Sequence, residues 1–179
     1  IISLRIVSAI TFSLSLAFLL SMSGIFHLLP RDAAARDVAR RLDHVGIWVL
    51  IAGTFTPIHV ILFRGPWRWA ILGLVWTLAI TGLALEEVFF RTFPGWLLLT
   101  AFLALGWIGA ASGLRFARLF KDKSVRLLVA GGVFYSIGAG IDFLCWPTFL
   151  PGVIGPHEIF HAFVILGAFA HWLFIYRWS

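Results

Sequence analysis

Long apolar stretches separated by short polar connections make up almost the whole chain. Six of them lie at about 4–29, 44–63, 69–89, 95–116, 126–145 and 157–177. Each is apolar nearly all round, and each reaches the length of about 20 residues needed to cross a hydrocarbon core. The connections carry proline, glycine and charged residues. This pattern predicts an all-α fold: a polytopic transmembrane helix bundle that forms one transmembrane domain over residues 1–179.

The composition agrees with a membrane protein. Of 179 residues, 61% are hydrophobic and only 12% are charged, whereas soluble domains carry about 25% charged residues. The formal net charge is +6, but the basic residues lie in the short loops. They are therefore predicted to contact anionic lipid headgroups and not nucleic acid. The expected location is the cell (inner) membrane, in a multi-pass arrangement with membrane lipids as partners.

Ionisable residues inside a membrane are costly, so each one is a candidate functional residue. Six spans put both chain ends on the same membrane side, here called side one; the opposite side is side two. His27 lies near the end of the first span, and Asp43 opens the second. His157 and His161 open the sixth span. Topology therefore predicts that these four side chains lie at a similar depth near side two.

This set of residue types indicates a metal site. Three neutral imidazoles with an open position for water form a common catalytic zinc shell, here His27, His157 and His161. Asp43 could hold or deprotonate the water, and Ser23, four residues before His27, could donate a hydrogen bond to a developing oxyanion. Cys145 is the single cysteine, so a cysteine-rich metal site is excluded. The alternative is that the histidines are ordinary interfacial residues.

Residues 157–161 also spell H-E-x-x-H, the helical signature of zinc metalloproteases. In that chemistry the two histidines bind the metal and the glutamate, here Glu158, is the general base. A third histidine on the first span and an aspartate upstream of the motif fit an intramembrane protease poorly. We therefore interpret Glu158 as a residue at the lip of the site.

Other histidines in the spans receive structural interpretations. His44 follows Asp43 directly, so it points to a different helix face and is predicted to be an interfacial residue. His59 and His171 lie toward side one and are predicted to be polar contacts between helices.

Three acidic residues near side two complete the set of candidates. Asp142, inside the fifth span, is either a partner of the metal site or a polar packing contact. Glu86 and Glu87 close the third span and are predicted to be solvated.

Three sequence blocks resemble those of the hemolysin III family. They are "SGIFH", "RRLDHVGIWVLIAGTFTP" and "HEIFHAFVILGAFAHW", which are similar to the family's S-x-x-x-H, helix-opening aspartate and H-x-x-x-H. The family is the bacterial branch of the progestin and adipoQ receptor group, in a superfamily that includes alkaline ceramidases. The resemblance implies a seven-helix bundle, zinc on His27, His157 and His161, and Asp43 acting through a water. The missing first helix would precede Ile1.

The resemblance and the charge distribution disagree about membrane orientation. Side one carries nine Lys and Arg residues and side two carries five, which favours a cytoplasmic side one. The resemblance implies instead that the metal site, on side two, faces the cytoplasm. We adopt the orientation that the family implies.

Four functions are consistent with these patterns to different degrees. The leading hypothesis is a zinc-dependent hydrolase of a lipid amide or ester bond, with the fatty-acyl chain of its substrate in the bundle cavity. The alternative is a non-catalytic sensor or regulator of membrane state, with zinc as a structural link between helices. An intramembrane metalloprotease is disfavoured by the order of the motifs. A pore-forming haemolysin is disfavoured because no span shows a polar stripe.

Overall fold

A computed structural model describes the backbone of residues 2–150 and 153–178, and the side chains from Leu4 onward within those ranges. It contains helices α1 (Ile2–Leu28), α2 (Arg36–Leu62), α3 (Pro66–Val88), α4 (Gly95–Trp107), α5 (Gly109–Phe120), α6 (Val125–Leu144) and α7 (Pro156–Trp178). Within these described ranges six helical segments are long and apolar enough to cross a membrane. The predicted all-α transmembrane architecture is confirmed.

The helix boundaries differ from the sequence-based expectation in two places. The second helix begins at Arg36 and not near residue 44, so Asp43 lies about two turns inside α2 and does not open it. Alanine and arginine favour helix, and Asp37 suits the positive end of a helix dipole, which explains the extension. The fourth candidate span, Gly95–Phe120, is interrupted at Ile108, between α4 and α5.

The chain divides into two compact units, the first ending at Leu105 and the second beginning at Gly106. In the first unit, close approach of helices depends on glycine. A Cβ at Gly53 of α2 would overlap the side chain of Ser15 in α1, and a Cβ at Gly82 of α3 would overlap the Trp48 ring of α2. Small residues at such crossings let helix backbones pack tightly where no hydrophobic effect drives them together.

Several polar side chains within α1 and α2 form hydrogen bonds to the backbone of their own helix. The Ser15 hydroxyl donates to the carbonyl of Thr11 at 2.7 Å, and the buried Thr54 hydroxyl donates to Leu50 at 2.7 Å. The fully buried His59 ring places Nδ1 2.9 Å from the carbonyl oxygen of Phe55. These hydrogen bonds remove most of the cost of placing polar side chains in a hydrocarbon environment.

Glu86 corrects one sequence-based prediction. Expected to be solvated, it is only 3% exposed. Its Oε2 accepts a hydrogen bond from Trp48 Nε1 at 2.7 Å, and its Oε1 lies 2.6 Å from His44 Nδ1. The prediction was wrong because α2 supplies two donors that replace water around the carboxylate. We call His44, Trp48 and Glu86 the α2–α3 polar cluster.

The neighbouring Glu87 is different. About a third of its side chain is exposed, and it forms an ion pair with Arg41 at 2.9 Å. The two adjacent glutamates therefore connect α3 to α2 in two environments, one buried and one partly solvated.

The second unit is built on the antiparallel pair α6 and α7. His171 of α7 fits against Gly131 of α6, where a Cβ would overlap the imidazole. The same ring places Nε2 3.2 Å from the carbonyl oxygen of Leu128. The α5–α6 turn and the C-terminal end of α7 lie together at one end of the unit. There the ring of Phe116 packs edge-on against Phe174 and Trp178.

Candidate metal centre

Two histidines one helical turn apart form the core of the candidate site. His157 and His161 lie in the first two turns of α7, and their Nε2 atoms are 3.1 Å apart. Two imidazole nitrogens on one tetrahedral zinc ion are separated by about 3.3 Å, given Zn–N bonds of about 2.0–2.1 Å. The spacing in the helix therefore suits binding of one ion by both rings.

Asp142 orients the first of these rings. Its carboxylate, at the end of α6, accepts a hydrogen bond from His157 Nδ1 at 3.0 Å. A carboxylate on Nδ1 fixes the proton there and leaves the Nε2 lone pair for a metal, an arrangement typical of histidine metal ligands. The sequence left the role of Asp142 open. The signal was present in the topology, since the end of α6 must lie near the start of α7 in an antiparallel pair.

Glu158, the middle residue of H-E-x-x-H, performs a different task. Its Oε2 accepts a hydrogen bond at 2.8 Å from the backbone N–H of Gly155, just before α7 begins. A glutamate three residues into a helix that reaches back to the preceding N–H is half of a capping box. The exposed carboxylate thus stabilises the helix that carries both histidines, and this contact does not support a role as general base.

In the first unit, His27 is exposed in the last turn of α1. Arg36 holds this helix end: its guanidinium donates to the carbonyl oxygens of Phe26, at 3.1 Å, and of Leu29. The guanidinium also lies 4.5 Å from the centre of the Phe26 ring. Arg36 therefore satisfies carbonyls that lack helical partners and fixes the end of α1. Sequence reasoning missed this role because it placed residue 36 in a loop.

The two residues predicted to be catalytic are both buried in the first unit. Ser23 of α1 and Asp43 of α2 are each 8% exposed. Ser23 lies one turn before His27, as its spacing predicts. Their catalytic roles stay predictions.

His27 as the third ligand beside the two histidines of α7 stays a prediction from the sequence, since His27 belongs to the first unit and the pair on α7 to the second. A set made of imidazoles suits zinc, copper, iron or nickel better than magnesium or calcium.

Comparison with known proteins decides the family. The family model described as haemolysin-III related matches residues 2–172. The chain belongs to the haemolysin-III family. It is 32% identical to Hemolysin-3 of Bacillus cereus over 163 residues, which cover 91% of this chain and 71% of that protein. It is 30% identical to the Hemolysin-3 homolog of Bacillus subtilis (strain 168) over 167 residues, covering 92% and 74%. No solved structure matches.

Membership of the haemolysin-III family and the six apolar helices together establish a multi-pass membrane protein; in bacteria the plasma membrane is the typical location. The prediction of the family is confirmed. The additional transmembrane helix before Ile1 that the resemblance implied stays a prediction. The single domain over 1–179 also stays a prediction.

Asp142 provides a first test of the site in this haemolysin-III family member. Replacing Asp142 with Ala is expected to weaken zinc binding by about 10–100-fold, because the His157 ring loses the partner that fixes its tautomer and orientation. Asp142→Asn keeps a carbonyl oxygen for the same hydrogen bond and should fall between that variant and the unmodified protein. Competition with a zinc-binding dye in detergent measures both. Unchanged affinity in Asp142→Ala would show that the 3.0 Å contact has no part in metal binding.

Proposed function

We propose that this protein is a zinc-dependent hydrolase that cleaves an amide or ester bond of a membrane lipid. The observation that carries the proposal is the 3.1 Å separation of the Nε2 atoms of His157 and His161 on α7. Asp142 accepts a hydrogen bond from Nδ1 of His157, which leaves the Nε2 atom of that ring for a metal. Structural histidine contacts need no such alignment of two ring nitrogens. His27 is the proposed third ligand, which leaves a coordination position open, as catalytic zinc sites require.

Zinc, when bound, would supply a Lewis acid that polarises a carbonyl group and makes water a better nucleophile at neutral pH. The donor set fits this ion because imidazole nitrogens are among its preferred ligands, and the exposed Cys145 is not needed.

The protein's own groups would carry out the proton transfers. Asp43 is proposed as the general base that takes a proton from the attacking water and returns it to the leaving amine or alcohol. A carboxylate that is 8% exposed is shielded from bulk water, which strengthens its interaction with a nearby proton donor. The Ser23 hydroxyl is proposed to donate a hydrogen bond to the oxyanion that develops from the substrate carbonyl.

A lipid is the proposed substrate because most of the protein's surface is apolar. Charged residues make up 12% of the chain, and the spans expose apolar side chains to the bilayer. A substrate with an acyl chain can reach such a protein laterally from the membrane, with its amide or ester near the headgroup level.

Asp43→Asn tests the proposal directly. The variant is expected to keep its zinc while release of fatty acid from a lipid amide, and from the matched ester, falls by at least about 10²-fold, since the base is removed and the ligands are intact. The measurements are zinc content and fatty-acid release in mixed micelles. Asp37→Asn is the matched control: Asp37 is an exposed carboxylate on the same helix, 3.9 Å from Arg40, and its loss should change neither quantity.

Two outcomes would contradict the hydrolase. Loss of zinc in Asp43→Asn would make Asp43 a direct fourth ligand and favour a closed, structural zinc site in a membrane sensor or regulator. Retention of zinc with no turnover of any amide or ester by the unmodified protein would remove the enzymatic function while leaving the metal site in place.

A further inference from the structure

In the second unit, the basic residues lie at one end of the helices and most of the acidic residues lie at the other. All six of its Lys and Arg residues lie at the end formed by the α5–α6 turn and the C-terminal end of α7: Arg115, Arg118, Lys121, Lys123, Arg126 and Arg177. Every one of them is exposed. Two of the three acidic residues of the unit, Asp142 and Glu158, lie at the opposite helix ends. Since α6 has 20 residues, the two ends are separated by about 30 Å.

The remaining acid, Asp122, lies at the basic end and pairs with one of its six basic residues, Arg177. It is already engaged by a hydrogen bond from the Ser124 backbone N–H at 2.6 Å and by an ion pair with Arg177 at 3.2 Å. The hydrogen bonds with Ser124, and to a lesser degree Arg177, lower the pKa of Asp122 below its ordinary value, so the carboxylate stays ionised and paired. Arg118, Lys121, Lys123 and Arg126 form no ion pair with any acid in the described part of the unit.

The turn that presents these four side chains is held in place. Trp178 Nε1 donates to the Ser124 hydroxyl at 3.0 Å, and the Trp178 ring packs against Phe116 and Phe120. Exposed Leu114 and Leu119 of α5 are the direct sequence neighbours of Arg115 and Arg118. Fixed basic groups beside exposed leucines match an amphiphile with an anionic head and apolar chains.

We propose that Arg118, Lys121, Lys123 and Arg126 form a binding site for the headgroup of an anionic phospholipid such as phosphatidylglycerol. The phosphodiester lies among the four cations, and the acyl chains lie against the exposed leucines of α5, Leu114 and Leu119. A lipid fits better than a soluble anion, because a phosphate alone leaves the adjacent leucines exposed. The site is independent of the proposed hydrolase and lies in one unit of the chain.

Lys121 allows a test that keeps the fold intact. It ends α5 in the left-handed conformation, with φ 49° and ψ 28°, a backbone geometry that favours glycine over any residue with a side chain. Lys121→Gly therefore removes one charge while relieving the backbone. Arg64→Gln, which removes one exposed cation in the first unit, is the matched control for net charge.

The measurement is the relative affinity for phosphatidylglycerol over phosphatidylcholine, obtained by titrating each lipid into detergent-solubilised protein and counting bound lipids by native mass spectrometry. Lys121→Gly is expected to lower this preference by about fivefold, as one basic residue near a headgroup contributes about 1 kcal/mol. Replacing all four residues with Gln should abolish it. The lipid preference should stay within about twofold in the double variant Arg118→Lys/Arg126→Lys, which keeps both charges. It should also stay within about twofold in Arg64→Gln.

Three results would overturn the proposal. One is an unchanged lipid preference in the four-residue Gln variant. Another is an equal loss of the preference for phosphatidylglycerol in Lys121→Gly and Arg64→Gln, which would show a general effect of net charge and no localised site. The third is binding of inorganic phosphate as tight as that of phosphatidylglycerol, which would identify the ligand as a soluble anion.

Discussion

At the proposed zinc site, His161→Ala is expected to lower the zinc content of the purified protein from about one ion per chain to below about a tenth. A site of three imidazoles that loses one keeps two protein ligands. These bind the ion too weakly to hold it against water and buffer molecules during purification. His157→Ala should give the same result. Elemental analysis of protein purified without chelators measures the content, and gel filtration in detergent shows that each variant is folded.

Cys145→Ser is the control for adventitious metal. Cys145 is exposed and is the only cysteine, so a thiolate-bound contaminant would disappear in this variant while metal on the histidines would stay. A full complement of zinc in either histidine variant would show that the 3.1 Å pair on α7 is a packing contact. The proposed hydrolase would then lose its metal centre.

The second large effect is expected on stability, at the α2–α3 polar cluster. Glu86→Ala should lower the free energy of unfolding by about 3 kcal/mol, because Trp48 Nε1 and His44 Nδ1 lose their shared acceptor in a buried setting. Glu86→Gln keeps one carbonyl oxygen and should cost about half as much. Reversible unfolding in mixed detergent micelles, followed by tryptophan fluorescence, measures both.

The neighbouring residue gives the matched control for this prediction. Glu87→Ala removes the same side chain from the next position, but its ion pair with Arg41 is about one-third exposed at both partners. Partly solvated pairs contribute about 1 kcal/mol or less. Equal losses for Glu86→Ala and Glu87→Ala would mean that burial of Glu86 contributes nothing beyond an ordinary surface pair.

Hydropathy was sufficient to predict the spans, since apolar stretches of membrane length have few alternative structures. It could not predict the start of α2, because five of the eight residues 36–43 are charged and the segment resembles a loop by composition. Their helical propensity and the partners of Arg36 decide that segment, and the partners become visible only in three dimensions.

At the candidate site, too, the sequence predicted some features and could not predict others. Helical spacing predicted that His157 and His161 share one face, and the Nε2 separation agrees. Spacing could not reveal that Glu158 caps α7, because the same five letters describe a catalytic base and a helix cap. Nor could it identify Glu86 as buried, since its donors, His44 and Trp48, lie about forty residues away in sequence.

Arg36 also bears on how deep in the bilayer the end of α1 can lie. A helix usually ends where water reaches its last carbonyl groups, because they lack partners within the helix. The carbonyls of Phe26, in the last turn of α1, and of Leu29, just after it, have a guanidinium from the first turn of α2 instead. Two carbonyls at the helix end that carries His27 therefore need no water from the headgroup layer. This reduces the cost of placing that helix end toward the level where ester and amide linkages of lipids join their hydrocarbon tails.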